Sequence, residues 1–368
     1  MFERQDSYMK VSKNIRLPKE FKAAVLKGDN APLEIEQHEI GPLKKGEVWI
    51  RMMAAPVNPS DLAMLTGEYP HRKTYPYVPG LEGSGLVVAS GGGFMANFVL
   101  GKRVACSASD TGDGTWAEYM KVSAGNCIPL ISALGDEQAA STIVNPLTAL
   151  ALVETVKEKG SKAFVNTAAA GALGKMLIRL AKIENLMLIN IVRREAQVEE
   201  LKALGAEIVL NSSLESFKED LSREYKLHKP TVILDAVGGA FSNLLLSKAP
   251  DETTLVSYAS LTREMIEVHP VPIIRFGKKL EGFHLAFWFS KQSKLKLIKT
   301  TRKVQKLIAD GTLSSNISNR YSIDDINKAI KHYSENMSEG KSIFIFNQKI
   351  RENHCSSHFF LTSAVVNF

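Results

Sequence analysis

The stretch Phe164–Lys182, FVNTAAAGALGKMLIRLAK, decides the fold. Apolar residues lead directly into small ones and then into a helical pattern carried by Met176, Leu177, Leu180 and Ala181. A strand, a tight turn and a helix N-terminus look like this in sequence, and such a turn is where a pyrophosphate binds. The glycine fingerprint is degraded. With its second and third glycines aligned on Gly171 and Gly174, Ala169 stands where the first belongs. Taken alone, a match of this quality is more often an ordinary strand-to-helix turn than a nucleotide site. The surrounding sequence has to decide.

From about Asn145 to Gly282 strand and helix patterns alternate. Phe164–Thr167, Met187–Val192, Ile208–Leu210, Val232–Asp235 and Leu255–Tyr258 read as strands, with helical periodicity over Gly174–Ile183 and Glu195–Leu204. The alternation predicts an α/β doubly wound parallel sheet with its ligand at the carboxyl ends of the strands. Upstream, Phe21 to about Val144 is strand-rich, with Glu47–Met53, Gly85–Ala89 and Arg103–Ala108 separated by Gly, Pro and Asn/Asp clusters. A compact β-rich domain is expected there. The chain then carries a basic helix, a second helix near Ile323–Tyr333 and a strand Ser342–Phe346 returning to the first domain.

Length and composition bound the function classes. At 368 residues, 45% hydrophobic and 23% charged, two globular domains are expected, and no apolar run approaches the ~20 residues that span a bilayer. Cys106, Cys127 and Cys355 are too scattered for a disulfide framework or a structural zinc knot, so a reducing compartment fits best. Met1–Arg16 lacks a secretory core and the acid-free bias of an organellar presequence, which favours the cytoplasm and leaves a mitochondrial address open.

The net charge of +7 gathers in Lys291, Lys294, Lys296, Lys299, Arg302, Lys303 and Lys306, a stretch without an acid. Ile298, Val304, Leu307 and Ile308 are interleaved at helical spacing, so a solvated helix face is the default reading. A docking patch for a phosphorylated substrate or acidic partner is the alternative. Aromatic-basic interleaving of the nucleic-acid-binding kind is absent. The apolar tail of 348–368 reads as a disordered appendage, an extra strand or a partner-binding peptide.

In order along the chain stand Val57-Asn-Pro-Ser-Asp61, Gly80-Leu-Glu-Gly83, Gly101-Lys-Arg-Val104, Gly114-Thr-Trp-Ala-Glu-Tyr119, Asn145-Pro-Leu-Thr-Ala149, the Gly171/Gly174 turn and Asp235-Ala-Val-Gly-Gly239. With this set the chain resembles the medium-chain dehydrogenase/reductase superfamily over Phe21–Asn347, and among its zinc-free members the mitochondrial-type 2-enoyl thioester reductases, with quinone oxidoreductase-like proteins next. The resemblance implies an N-terminal extension (1–20), a GroES-like catalytic domain (21–144 and 284–347), a Rossmann NADP-binding domain (145–283) and a C-terminal tail (348–368). It also implies a homodimer.

A catalytic zinc needs Cys, His or carboxylate ligands. Where zinc members place their first cysteine this chain reads Val57-Asn58-Pro59, and Leu81 replaces a histidine before Glu82. No zinc is therefore expected, and Glu82 is read as structural. Enoyl reductases end the segment matching Leu65-Thr-Gly-Glu-Tyr69 in a tyrosine that serves as proton donor, so the resemblance makes Tyr69 the catalytic acid. A phenol of ordinary pKa near 10 is protonated at neutral pH and can do this.

The coenzyme is read from Arg193 and Arg194, about 20 residues past the glycine turn, where an NAD enzyme wants an acid and an NADP enzyme a cation. Guanidinium forks suit a 2′-phosphate, so NADPH is expected. The resemblance adds Asn145 on the nicotinamide side and Ala170, Gly171, Ala172 and Leu173 for the pyrophosphate. It also adds Tyr258, Ala259, Ser260, Leu261, Phe283, His284, Leu285, Ala286 and Lys341.

Three positions depart from the family pattern: Ala169 for glycine, His284 for tryptophan and Leu150 for tyrosine. The implied function is an NADPH-dependent reductase of a conjugated C=C, a 2-enoyl thioester first. An NADPH:quinone or enone oxidoreductase and a catalytically idle nucleotide-binding subunit of a larger complex are the alternatives.

Overall fold

Strands buried on both faces of a parallel sheet are written as short continuous apolar runs, and the second half of the chain obeys this rule. The protein was analysed as a computed structural model that describes residues 9–13, 15–69, 73–337 and 339–346. The expected tail at 348–368 lies outside the described residues, as do parts of the N-terminal extension. Contacts divide the chain into two units. One runs to Pro129 and adds Asn319–Ser334 and the segment from Ser342; the other comprises Leu130–Ser318 and Glu335–Lys341.

The second unit is organised on six parallel strands: β1 (Ala163–Asn166), β2 (Met187–Val192), β3 (Ile208–Asn211), β4 (Val232–Asp235), β5 (Thr254–Ser257) and β6 (Lys279–Gly282). Their spatial order is 3-2-1-4-5-6, that of a doubly wound nucleotide-binding sheet whose strand order reverses between β1 and β4. β1 and β4 are buried at every residue, consistent with their central place. The unit's helices of nine or more residues are α1 (Thr148–Glu158), α2 (Ala172–Ile183), α3 (Glu195–Ala203), α4 (Phe217–His228), α5 (Gly239–Lys248) and α6 (Lys294–Ala309). Val165, Ile189, Ile233 and Leu255 pack with Leu221, Tyr225 and Leu245 in one apolar cluster.

β6 was not expected. Its sequence Lys-Leu-Glu-Gly has no apolar run, and every residue is exposed, because the strand pairs with β5 alone at the edge of the sheet. Residues 130–144, 284–318 and 335–341, expected in the first domain, group instead with the second unit. For 284–318 the reason lies in α6: it buries Thr300, Val304 and Ile308, the Gln305 side chain accepts from the Ile131 N–H at 2.8 Å, and Lys296–Glu154 at 2.9 Å and Lys303–Glu184 at 3.0 Å add partly exposed ion pairs.

In the first unit, Glu47–Pro56 and Glu82–Ser90 are the long central strands of an eight-stranded sheet. Gly83 and Gly85 permit their close approach, since a Cβ at Gly85 would lie 2.4 Å from the Arg51 carbonyl oxygen. Lys341–Ile345 pairs antiparallel with Glu47–Pro56, setting Ile343 opposite Pro56. Phe344 then meets the fully buried Trp116 edge-on at 5.5 Å, and the Trp116 indole N–H donates to the Pro56 carbonyl at 3.2 Å. The motif tryptophan is thus a core residue of this unit.

Candidate active site

The sheet of the second unit brings most of the expected cofactor residues to one edge. Ala170–Leu173 follow β1, Arg193 and Arg194 follow β2, Tyr258–Leu261 follow β5, and Phe283–Ala286 follow β6. All four strands are parallel, so all four loops leave from carboxyl ends. Backbone bonds tie the β5 loop to the segment after β4, and the β6 loop to the end of β5. The Leu261 N–H donates to the Ala236 carbonyl at 2.9 Å, the Thr262 N–H to the Val237 carbonyl at 3.0 Å, and the Phe283 N–H to the Ser257 carbonyl at 2.8 Å.

The turn after β1 is shaped by close packing. Gly174 lies one turn into α2, and a Cβ there would sit 2.3 Å from the Ala169 carbonyl oxygen, so only glycine lets the helix lie this close to the turn. Ala169 itself is fully buried, and Ala168 takes the left-handed conformation at φ 50°. For a non-glycine residue that conformation costs roughly 1–2 kcal/mol. Gly171 is exposed at the N-cap of α2, whose first N–H groups are free to bind an anion.

At the switch point the sheet is closed by polar groups. The Thr167 hydroxyl donates to Asp235 Oδ1 at 2.7 Å and accepts from the Ala236 N–H at 2.8 Å. Asp235, fully buried, also accepts from the Val237 and Gly238 N–H groups and the Ser242 hydroxyl. In the sequence, Asp235 stands only as the first residue of the Asp235–Gly239 motif, and Thr167 lies outside every motif. Its signal was a hydroxyl placed next to the turn, in line with a buried acid at the end of a neighbouring strand. At the end of β1, Asn166 Oδ1 accepts from the Tyr258 hydroxyl at 3.2 Å, while Asn166 Nδ2 is buried without a partner among the described residues. Burial raises the Tyr258 pKa, aided by the Asp235 charge, and keeps the phenol neutral.

Arg193 and Arg194 are exposed past the end of β2, and Arg194 is the N-cap of α3. Their backbone is fixed: the Arg193 N–H donates to Gln197 Oε1 at 3.2 Å and its carbonyl accepts from the Ser213 hydroxyl at 2.7 Å. Glu195 is turned to Asn211, whose Nδ2 donates to it at 3.1 Å. The acid is thereby occupied and the guanidinium pair is held out to solvent.

Asn145 lies in a π-helical turn, Ile143–Leu147, and is buried. Pro146 inside that turn has no N–H to donate, which widens the turn before α1 begins. Leu150 is buried in α1. His284 is exposed at the N-cap of Leu285–Ser290, with its ring edge-on to Phe287 at 5.3 Å. Lys341 is buried, and its backbone N–H donates to the Asn316 carbonyl at 2.8 Å.

Tyr69 belongs to the first unit and follows the helix Pro59–Leu65. The Glu68 and Tyr69 N–H groups both donate to the Ala63 carbonyl, at 2.9 and 3.0 Å, so the segment is an extension of the helix end. The ring is half-buried against an apolar cluster containing Val57, Met64 and Tyr77. Burial raises the phenol pKa, and the negative charges of Asp110 and Asp61 add to the shift.

At the positions where the resemblance would place zinc ligands, the polar groups of Asn58, Asp61 and Glu82 are engaged with one another and with the Leu81 backbone. The Asn58 N–H donates to Asp61 Oδ2 at 2.8 Å, its side-chain amide to Glu82 Oε1 at 3.2 Å, and the Leu81 N–H to Asp61 Oδ1 at 2.9 Å. Cys106 faces the Gly83 carbonyl, and burial pushes its thiol well up, away from the thiolate that binds metal. Among the described residues no group of three His, Cys, Asp or Glu side chains converges.

Comparison with known proteins agrees with this architecture. Residues 44–132 match a family model described as the alcohol dehydrogenase GroES-like domain, and residues 172–300 one described as zinc-binding dehydrogenase. The chain is 33% identical over 253 residues to the mitochondrial enoyl-[acyl-carrier-protein] reductase of Arabidopsis thaliana, covering 67% of each chain. A Mesorhizobium loti structure assigned as an NADPH:quinone reductase superposes with a TM-score of 0.84 and 32% identity, over 90% of this chain and 100% of that one. A mitochondrial 2-enoyl thioester reductase heterodimer from Candida tropicalis shares the fold, with a TM-score of 0.74 at 21% identity over 89% of this chain and 99% of that one. The expected pairing of a GroES-like domain with a doubly wound Rossmann domain is thus found, and the chain belongs to the medium-chain dehydrogenase/reductase superfamily of oxidoreductases.

Proposed function

We propose that the protein is a zinc-independent, NADPH-dependent reductase of a conjugated C=C bond, with a 2-enoyl thioester as substrate. The observation that carries the cofactor assignment is the convergence of four strand-end loops beside an arginine pair whose neighbouring acid is already engaged. Gly171 and the N-terminus of α2 receive the pyrophosphate, and Arg193 and Arg194 the 2′-phosphate. Asn145, Ala170, Ala172, Leu173, Tyr258–Leu261, Phe283–Ala286 and Lys341 complete the cofactor site. Asn166 and Tyr258 fix each other at the floor of the sheet edge.

NADPH supplies the hydride for the β-carbon. This chain's residues position the cofactor and hold the proton for the α-carbon at Tyr69 Oη. A phenol whose pKa is raised by burial and by two nearby carboxylates stays protonated throughout the neutral range. The names of the relatives support an acyl thioester substrate and a mitochondrial setting.

A homodimer is part of this reading. β6 leaves one edge of the sheet unpaired, next to Val271, Ile273, Ile274 and Leu280, which are all exposed. An edge of that kind is a template for strand pairing with a second copy.

The Mesorhizobium loti relative favours a second reading, in which a quinone or free enone is reduced and its proton comes from water, so that Tyr69 has no chemical role. A substrate panel with NADPH, comprising crotonyl thioester, a free enone and a quinone, separates the two. Turnover of the thioester that collapses in Tyr69→Phe supports the first reading. Turnover of quinone alone, equal in wild type and variant, selects the second. No turnover of any substrate by protein that binds NADPH points to a nucleotide-binding subunit.

A further inference from the structure

Helix α6 lays its buried side, Thr300, Val304 and Ile308, against the second unit. At 100° per residue, Leu295, Ile298, Lys299, Arg302 and Lys306 fall within about one third of the helix circumference, on the side opposite the buried residues. Leu295 is 74% and Ile298 50% exposed, and Phe287, just before the Trp288 ring over which Lys296 sits at 5.4 Å, is 70% exposed. The two cations that find acids, Lys296 and Lys303, lie on the flanks of the helix. Lys299, Arg302 and Lys306, like Lys291 and Lys294, have no acidic partner among the described residues, and no acid occurs between Lys291 and Ala309.

A solvated face has no use for two large apolar side chains, Leu295 and Ile298, standing among unneutralised cations, whereas a lipid headgroup layer takes both. The apolar tips enter the acyl boundary, and the long Lys and Arg stems reach outward to phosphate. An acidic protein surface would complement the cations alone, whereas an anionic bilayer complements both the cations and the exposed Leu295 and Ile298. We infer that the exposed face of α6, with Phe287 beside it, is a docking surface for a bilayer containing anionic phospholipid. No helix among the described residues is long and apolar enough to cross a membrane, so the contact is peripheral. The inference does not depend on which substrate the enzyme reduces.

The test is sedimentation of the full chain with phosphatidylcholine vesicles, with and without phosphatidylserine, at low and at high salt. Binding is expected only with phosphatidylserine and should weaken as salt rises. With each cation near the surface worth about fivefold, Lys299→Glu/Arg302→Glu/Lys306→Glu should lower partitioning at least on the order of a hundredfold. Leu295→Ser/Ile298→Ser should lower it about tenfold without any change of charge. Lys202→Glu/Lys218→Glu/Lys226→Glu, the same charge change at exposed lysines elsewhere, should leave binding within about twofold of wild type. Equal losses in the two charge variants would reduce the effect to net charge and overturn the proposal. So would failure of the wild type to bind at low salt, or binding to polyglutamate without binding to vesicles, which would assign the face to an acidic protein.

Discussion

The turn after β1 and the segment carrying Tyr69 differ in how their geometry is held. The turn is set by steric exclusion: Ala169 is fully buried, Gly174 has no room for a Cβ, and Ala168 is held in a strained conformation. Tyr69 is set by two backbone N–H groups sharing one carbonyl and by a ring resting half-buried on an apolar cluster. A cofactor site has to fit a fixed object, so its information is spread over a backbone. A proton donor has to present one oxygen, so its information sits in one side chain. Substitutions should therefore act on different quantities in the two places.

The largest effect belongs to the single oxygen. Tyr69→Phe keeps the ring and its packing, and turnover of an enoyl thioester should fall about 10²–10⁴-fold with NADPH affinity unchanged, as read by steady-state kinetics and cofactor titration. A matching loss of NADPH affinity would break the contrast drawn above. Next comes Arg193→Asp/Arg194→Ser, which should raise the KM for NADPH about 10–100-fold and leave that for NADH almost unmoved. Unaltered discrimination between the coenzymes would remove the arginines from the site.

Gly174→Ala sharpens the comparison from the other side. The added methyl has to push α2 off the turn, at a cost of about 1–3 kcal/mol in thermal or denaturant unfolding, with weaker NADPH binding following from the displaced helix. The smallest effect is an expected constancy. Since the Tyr69 phenol is pushed upward, kcat/KM should stay level from neutral pH to about 10 and fall only beyond it. Stability follows the same sign. Burial raises the pKa values of Tyr225, Tyr258 and Tyr333. Unfolded phenols ionise first, so stability is full below about pH 10 and is lost as pH climbs through the raised values.

Much of the sheet was legible because its strands bury both faces and are written in apolar runs, as Val232–Asp235 shows. β6 escaped because an edge strand exposed at every residue leaves no apolar signature. The allegiance of 284–318 escaped for another reason: the buried side of α6, Thr300, Val304 and Ile308, and the Gln305–Ile131 bond join residues far apart in sequence, a relation that periodicity does not register. In the candidate site, spacing placed the glycine turn and the arginine pair past the ends of β1 and β2, where they lie. It did not mark Thr167, because its role depends on a hydrogen bond to Asp235 across the sheet, and periodicity carries no such information.

That bond bears on how the protein could be taken apart. Asp235 collects donors from both sides of the β1–β4 boundary, the Thr167 hydroxyl on one side and Val237, Gly238 and Ser242 on the other. If the second unit were cut between β3 and β4 and its halves produced separately, the Asp235 half would lack the Thr167 donor and keep a buried carboxylate short of a partner. Each half would also expose a central strand that is buried at every residue. The unit should therefore resist division into two independently folding fragments, which should regain structure only when mixed. A sheet of this kind can look like a duplicated pair of modules and still behave as a single indivisible body.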